Sequence, residues 1–205
     1  MFMSIRNAED RDLPVIAAIH KSQFWDHFLG QYSRRLLVRF YGSFLGKSVF
    51  IVHESADGVD GFVLGGASAQ MAACSARFVR SNLPRCLWET LMRPRLWLEA
   101  IRCGFAAVFV FPSKSGPTTE APEESNLRLL SIAVSKEAMG MGIASALVAG
   151  FEETIRNTHA REYGLSVNKS NRRAIRFYEK MRFEVERETE KSFCYRKRLV
   201  REASE

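Results

Sequence analysis

The chain has 205 residues, 46% of them hydrophobic, with a formal net charge of +7. That length and apolar content fit one folded domain with some elaboration and exclude a disordered or fibrous chain. The basic balance favours an anionic partner without choosing among nucleic acid, an acidic membrane surface and a polyphosphorylated ligand.

The first ten residues, MFMSIRNAED, carry charges and no long apolar core, so they do not read as a signal peptide and point to a cytoplasmic protein. Ile5 to Asn7 reads as a short first strand. A helix follows, capped by Asp10 or Asp12 with Pro14 in its first turn, and Val15, Ile16, Ile19 and Phe24 recur near helical spacing. A second helix is expected over Tyr32 to Leu45, with Leu36, Leu37, Phe40, Tyr41 and Phe44 on one apolar face. SVFIVHE (48–54), the turn ADGVDG and GFVLGG together read as a hairpin.

From about 67 to 126 the chain changes character. Arginines alternate with Trp88, Trp97, leucines and Phe105, and Pro84 and Pro94 are expected to break the stretch into short helices. SKSGPTTEAPEES then reads as a polar connector. This segment is read as a helical insertion: a cap on the domain, a lid over an acceptor pocket, or an amphipathic face for anionic lipid through 77–105. Its longest apolar run, Cys103 to Pro112, is too short to cross a bilayer. The four cysteines, Cys74, Cys86, Cys103 and Cys194, lack metal-finger spacing, so no metal is expected and the thiols read as reduced.

LRLLSIAV (127–134) is a buried strand, and Gly140 to Asn157 reads as a helix with Ile143, Leu147, Phe151 and Ile155 on one face. EYGLSV is another strand, Asn171 to Lys180 another helix, and FEVERE with SFCYRKRLV an antiparallel pair. Between strand and helix lies MGMG, glycines one residue apart where a phosphate could bind. A dinucleotide fingerprint would need glycine at 145, which is Ser145, and an acidic residue about twenty positions on, where Glu162 starts a strand rather than ending one. A P-loop would need Gly-Lys-Ser/Thr, which is missing.

LLSIAVSKEAMGMGIASALV followed by LSVNKSNRRAIRFYEKMRF resembles the GCN5-related N-acetyltransferase (GNAT) superfamily. There a strand ending in Val leads through Gln/Arg-x-x-Gly-x-Gly/Ala into a helix; the corresponding positions are Met139, Gly140, Met141, Gly142, Ile143 and Ala144. The second motif, Asn, Ala-Ile, Tyr and a closing Gly-Phe, maps onto Asn171, Ala174, Ile175, Tyr178 and Arg182-Phe183. The resemblance implies an α/β (mixed α+β) fold: a mostly antiparallel mixed sheet flanked by helices, one domain over 1–205, with the insertion at 67–126 between the third and fourth strands.

It also implies acetyl-CoA (acyl-CoA) as co-substrate. Its pyrophosphate would lie on backbone N–H groups of the 139–144 loop, and its pantetheine along Ile132, Ala133 and Val134. A strand N–H there could also hold the oxyanion of a tetrahedral intermediate. Asn171 would hold the pantetheine or the adjoining loop, although Asn is equally a good helix cap. Tyr178 would protonate the departing thiolate, although at its spacing it is equally a core aromatic. Met139 replaces the usual polar side chain, and Lys136, Arg172, Arg173 or Arg176 could supply charge instead. Arg182 replaces a glycine, and a left-handed conformation there would cost on the order of 1 kcal/mol.

The general base stays open: His53 and Glu54 are candidates, Glu162 and Ser131 weaker ones, and His20, Asp26 and His27 could line the acceptor side. The expected activity is transfer of acetyl to a primary amine of a small molecule in a ternary complex. A protein amine acceptor and a non-catalytic acyl-CoA-binding regulatory module are the alternatives. No nucleic-acid-binding motif is present, so no nucleic acid is expected; a homodimer is compatible with the sequence.

Overall fold

The computed structural model describes residues 4–25, 28–92, 127–158 and 160–199. Seven strands form one sheet in the order β1-β2-β3-β4-β5-β7-β6. They are β1 (Ser4–Asn7), β2 (Val49–Ser55), β3 (Gly58–Ala67), β4 (Leu127–Val134), β5 (Glu162–Asn168), β6 (Glu184–Glu188) and β7 (Ser192–Arg198). Every pairing is antiparallel except β4 with β5. The helices are α1 (Leu13–Gln23), α2 (Arg34–Gly42), α3 (Ser68–Leu91), α4 (Ile143–Arg156) and α5 (Arg172–Lys180). The α/β fold expected from the sequence, a mostly antiparallel mixed sheet flanked by helices, is the one observed, and α3 stands between the third and fourth strands.

Two apolar cores flank the sheet. One joins α1, α2 and α3 to Phe50 and Val52 of β2 and to Phe62 and Leu64 of β3. The other joins α4 and α5 to Ile51, Val63 and Leu129 and to Tyr163, Leu165 and Tyr195. The alternation along β2 and β3 separates these sets, because successive side chains leave opposite faces of a strand. Gly65 sits where β3, β4 and α4 crowd together: a Cβ there would fall 2.6 Å from the Arg128 carbonyl oxygen and from the Phe151 ring.

Three local expectations are corrected. α4 begins at Ile143, not at Gly140, because Gly140 (φ 84°) and Gly142 (φ 81°) are left-handed. Pro84 does not break its segment; it lies inside a 24-residue helix. Packing holds that helix together: Met71, Cys74, Phe78 and Cys86 are buried, Phe78 meets the Phe40 ring edge-on at 5.3 Å, and Thr90 bonds Tyr32 Oη at 2.8 Å. Asp12 precedes α1 but its side chain makes no capping bond to that helix; it accepts from the Glu9 N–H and from Arg6 instead. Pro94, Trp97, Cys103, Phe105 and the polar connector, like Asp26 and His27, lie outside the described residues.

Among the described residues no helix is long and apolar enough to cross a membrane. Cys74, Cys86 and Cys194 are buried free thiols.

Candidate active site

The site grows from the way β4 and β5 meet. They are parallel and share one register pair, Arg128 with Gly164. Beyond it the strands part, while β4 stays paired to β3 as far as Val134 with Gly61. The Ser135 N–H donates to the Asp60 carbonyl at 2.7 Å. Antiparallel bonding alternates, so the backbone of Ala133 faces Phe62 of β3 and the N–H and C=O groups of Ile132 and Val134 face the side from which β5 has withdrawn. An extended ligand lying there meets a strand edge with its hydrogen-bonding groups open.

At the end of β4 the chain turns through the glycine loop. The Ser135 hydroxyl oxygen accepts from the Ala138 N–H at 3.3 Å, and Ala138 is buried, which ties the loop down. Among the described residues, no atom beyond the adjoining chain lies within 4 Å of where a Cβ would stand on Gly140 or Gly142. Conformation rather than protein crowding therefore demands glycine at these two positions, and the space beside them is open. Gly142 caps α4 in the left-handed conformation and its carbonyl accepts from Ala146. The N–H groups of Ile143, Ala144 and Ser145 have no protein acceptor among the described residues. Three orphan donors at the positive end of a 14-residue helix form an anion cradle.

Met139 lies half-buried and Met141 exposed in this loop. Arg173 of α5 reaches over and sets its Nη1 2.7 Å from the Met139 sulfur. A cation thus reaches position 139 from another element; Arg173, like Lys136, Arg172 and Arg176, is solvent-exposed.

Asn171 is the N-cap of α5, its side-chain oxygen accepting from the Ala174 N–H at 3.0 Å. The same side chain keeps its amide N–H donors for a further partner. α5 closes with a Schellman motif: Phe183 N–H bonds Tyr178 O and Arg182 N–H bonds Glu179 O, each at 3.0 Å. Arg182 takes φ 61° as its αL residue, the one positive-φ non-glycine among the described residues. The apolar contact that accompanies this motif is Phe183 against Tyr178, rings 5.2 Å apart at 75°. The helix cap thereby fixes the Tyr178 ring. Its hydroxyl makes no hydrogen bond to a described residue, and burial raises its pKa, so the phenol stays protonated at neutral pH.

The remaining candidates fall in separate places. Glu54 binds Arg6 at 2.7 and 2.9 Å, which holds its carboxyl below the ordinary range. Glu162 is paired with Arg196. His53 is buried, with Nδ1 3.3 Å from Asp60, a bulge residue of β3. His20 of α1 sets Nδ1 2.6 Å from the Tyr41 hydroxyl, and that hydroxyl lies 3.4 Å from Oγ of Ser131 on β4. Tyr41, which sequence periodicity reads only as part of an apolar face, is the side chain that joins His20 to β4.

Comparison with known proteins places the fold. Residues 87–183 match the model of the Acetyltransferase (GNAT) family. No curated protein matches the chain by sequence. Among solved structures it is similar to Ard1 from Thermoplasma volcanium, at 16% identity and TM-score 0.60, covering 98% of this chain and 100% of that one. It is similar also to the PaiA N-acetyltransferase from Thermoplasma acidophilum in complex with coenzyme A, at 15% identity and TM-score 0.57, covering 97% and 100%. A third is the ribosomal-protein-S18-alanine N-acetyltransferase from Escherichia coli, at 14% identity and TM-score 0.53, covering 100% and 99%. The fold is that of the GNAT acetyltransferases, and residues 87–183 carry that family's domain match.

Proposed function

We propose that this chain transfers acetyl from acetyl-CoA to a primary amine of a small molecule, by direct attack within a ternary complex. The observation that carries the reading is the continuity of three open features: the free edge of β4 at Ile132 and Val134, the orphan donors at the start of α4, and the unpartnered hydroxyl of Tyr178. CoA offers a matching series of groups: amide-bearing pantetheine, pyrophosphate and a leaving sulfur.

In this reading the N–H groups of Ile143, Ala144 and Ser145 bind the pyrophosphate, with Arg173 beside them. Ile132 and Val134 align the pantetheine by strand-like pairing, and one of their N–H groups stabilises the oxyanion that develops on the thioester carbonyl. Asn171 adds a side-chain amide at the neighbouring helix start. Tyr178, kept protonated by burial, donates its proton to the departing thiolate.

The test has two stages. Acetyl-CoA and CoA should each raise Tm, and thiol release should follow with at least one of ethanolamine, lysine, glucosamine or a tetrapeptide with a free N-terminus. No rise with either ligand overturns the reading; a rise without turnover on any amine favours the regulatory module, and turnover confined to the peptide favours a protein acceptor. Tyr178→Phe should lower kcat by about 10²-fold with the KM for acetyl-CoA little changed, the usual scale for a lost general acid. Unchanged kcat removes Tyr178 from the chemistry.

A further inference from the structure

The proposed reaction has an acid but leaves the amine's own proton without a destination. A neutral amine that attacks the thioester must lose one N–H proton as the N–C bond forms, so a group near the thioester must accept it. Glu54 is paired with Arg6, Glu162 with Arg196 and His53 with Asp60. A further buried imidazole, His20, is connected to β4 itself through two side-chain hydroxyls.

Resting on the acetyltransferase reading above, we infer that Ser131, Tyr41 and His20 form a proton relay that carries the acceptor amine's proton from β4 to the imidazole of α1. Ser131 lies on β4 one residue before Ile132, and its hydroxyl leaves the face of the sheet covered by α1 and α2. Tyr178 belongs to the core on the opposite face. A thioester held at the β4 edge would therefore have its proton donor on one side and the relay on the other, as direct attack requires.

The relay runs in one direction. With Tyr41 as donor across the 2.6 Å contact to Nδ1 of His20, the neutral ring carries its proton on Nε2. Tyr41 Oη is then free to accept from Ser131 Oγ at 3.4 Å, a long contact of the kind that shortens when substrate completes a site. As the N–C bond forms, the amine proton passes to Ser131 Oγ, the serine proton to Tyr41 Oη and the tyrosine proton to His20 Nδ1. The thiolate released as the C–S bond breaks takes its proton from Tyr178. Once the product leaves, the imidazolium returns its Nδ1 proton through Tyr41 and Ser131 to water at the vacated β4 edge and the Tyr178 phenolate regains a proton, so the cycle balances.

Burial suits the middle member. Tyr41 is fully buried and desolvation raises its pKa, so it does not ionise on its own and serves by passing one proton in as another leaves. Among the described residues, the titratable groups beside His20 include Tyr41 on α2 and, next to it on α1, Lys21, whose ammonium is held 2.9 Å from the Tyr32 carbonyl. Both Tyr41 and His20 act through Ser131 and are positioning residues; only Ser131 would touch the amine.

The experiment is the pH dependence of kcat/KM for the amine, measured by thiol release on the full chain and on Ser131→Ala, Tyr41→Phe and His20→Gln. Each variant is expected to lose about 10²-fold near pH 7 and to recover toward the parent as pH rises and hydroxide takes the N–H proton in the relay's place. The KM for acetyl-CoA and its effect on Tm stay as in the parent. A loss by the same factor at every pH is a structural effect and overturns the relay, as does an unchanged profile. If the parent turns over while the variants' profiles match it, the acetyltransferase reading stands and the relay falls; no Tm shift of the parent with acetyl-CoA overturns both. Ser131→Ala, at the half-buried outer end of the chain, keeps the test decisive if the two buried substitutions unfold the protein.

Discussion

Arg182 is the residue at which the chain departs most plainly from the family pattern, and its backbone shows the consequence. It occupies the left-handed slot of a Schellman cap, where a Cβ is disfavoured by about 1 kcal/mol. Arg182→Gly should therefore raise stability by about 1 kcal/mol, read as a higher midpoint in urea with the slope unchanged. This conformation was legible in the sequence from the glycine the motif expects. The answer to Met139 was legible only in outline: four basic side chains were equivalent in the sequence, and the contact between Arg173 and the Met139 sulfur singles out one of them. Tyr41 was not legible at all, because periodicity sorts side chains into faces and says nothing about a hydroxyl at the far end of a buried ring.

Elements were legible where a repeat of two or of 3.6 runs uninterrupted, as in β2, β4 and β5. They were misread where glycine or proline carries two meanings. Gly140 and Gly142 read as the start of a helix but form the turn before it. Pro84 reads as a break, yet the buried row from Met71 to Thr90 holds α3 continuous through it. The Arg80 carbonyl loses its helical partner as a result. Since Pro84 is exposed, Pro84→Ala should restore that bond without a packing loss and stabilise the protein by about 1–3 kcal/mol, measured by thermal or chemical denaturation.

The first strand pair depends on charge. Arg6 bridges Asp12, at 2.7 and 2.9 Å, and Glu54 on β2. Arg6 holds the Asp12 carboxyl below its ordinary value of 3.8. A depressed folded-state pKa contributes stability that is fully present above the unfolded value and is lost as pH falls through the folded one. The parent should lose stability steadily below about pH 4, and Asp12→Asn should be less stable near neutrality but show a shallower acid decline. An equal slope in both proteins would deny Asp12 that part.

On the scale of the whole molecule, both the sheet and the family resemblance were legible, because the two motifs fall in order on either side of β5. The withdrawal of β5 from β4 was not visible in any local pattern; it entered only as something the resemblance implies. It arises because α4 fills the crossover while Phe151 and Tyr163 pack ring to ring at 5.3 Å, and Lys197 and Tyr163 both bond Glu152 at 2.6 Å. These contacts tie β5 and β7 to α4 rather than to β4.

The parting of β4 and β5 has a thermodynamic corollary. The two parts of the sheet, β1–β4 and β5–β7, meet at a single register pair and share the core under α4, so a ligand in the gap would act as an eighth strand that couples their unfolding. Without acetyl-CoA the amides of Ile132 and Val134 should exchange with deuterium far faster than those of Ala133, although all three lie mid-sheet. With acetyl-CoA at a hundred times its Kd, the protein as a whole should gain about 2.7 kcal/mol. If the coupling holds, slowed exchange will appear together in β2–β3 and in β5–β7; slowing confined to one group would mean that the halves still open independently.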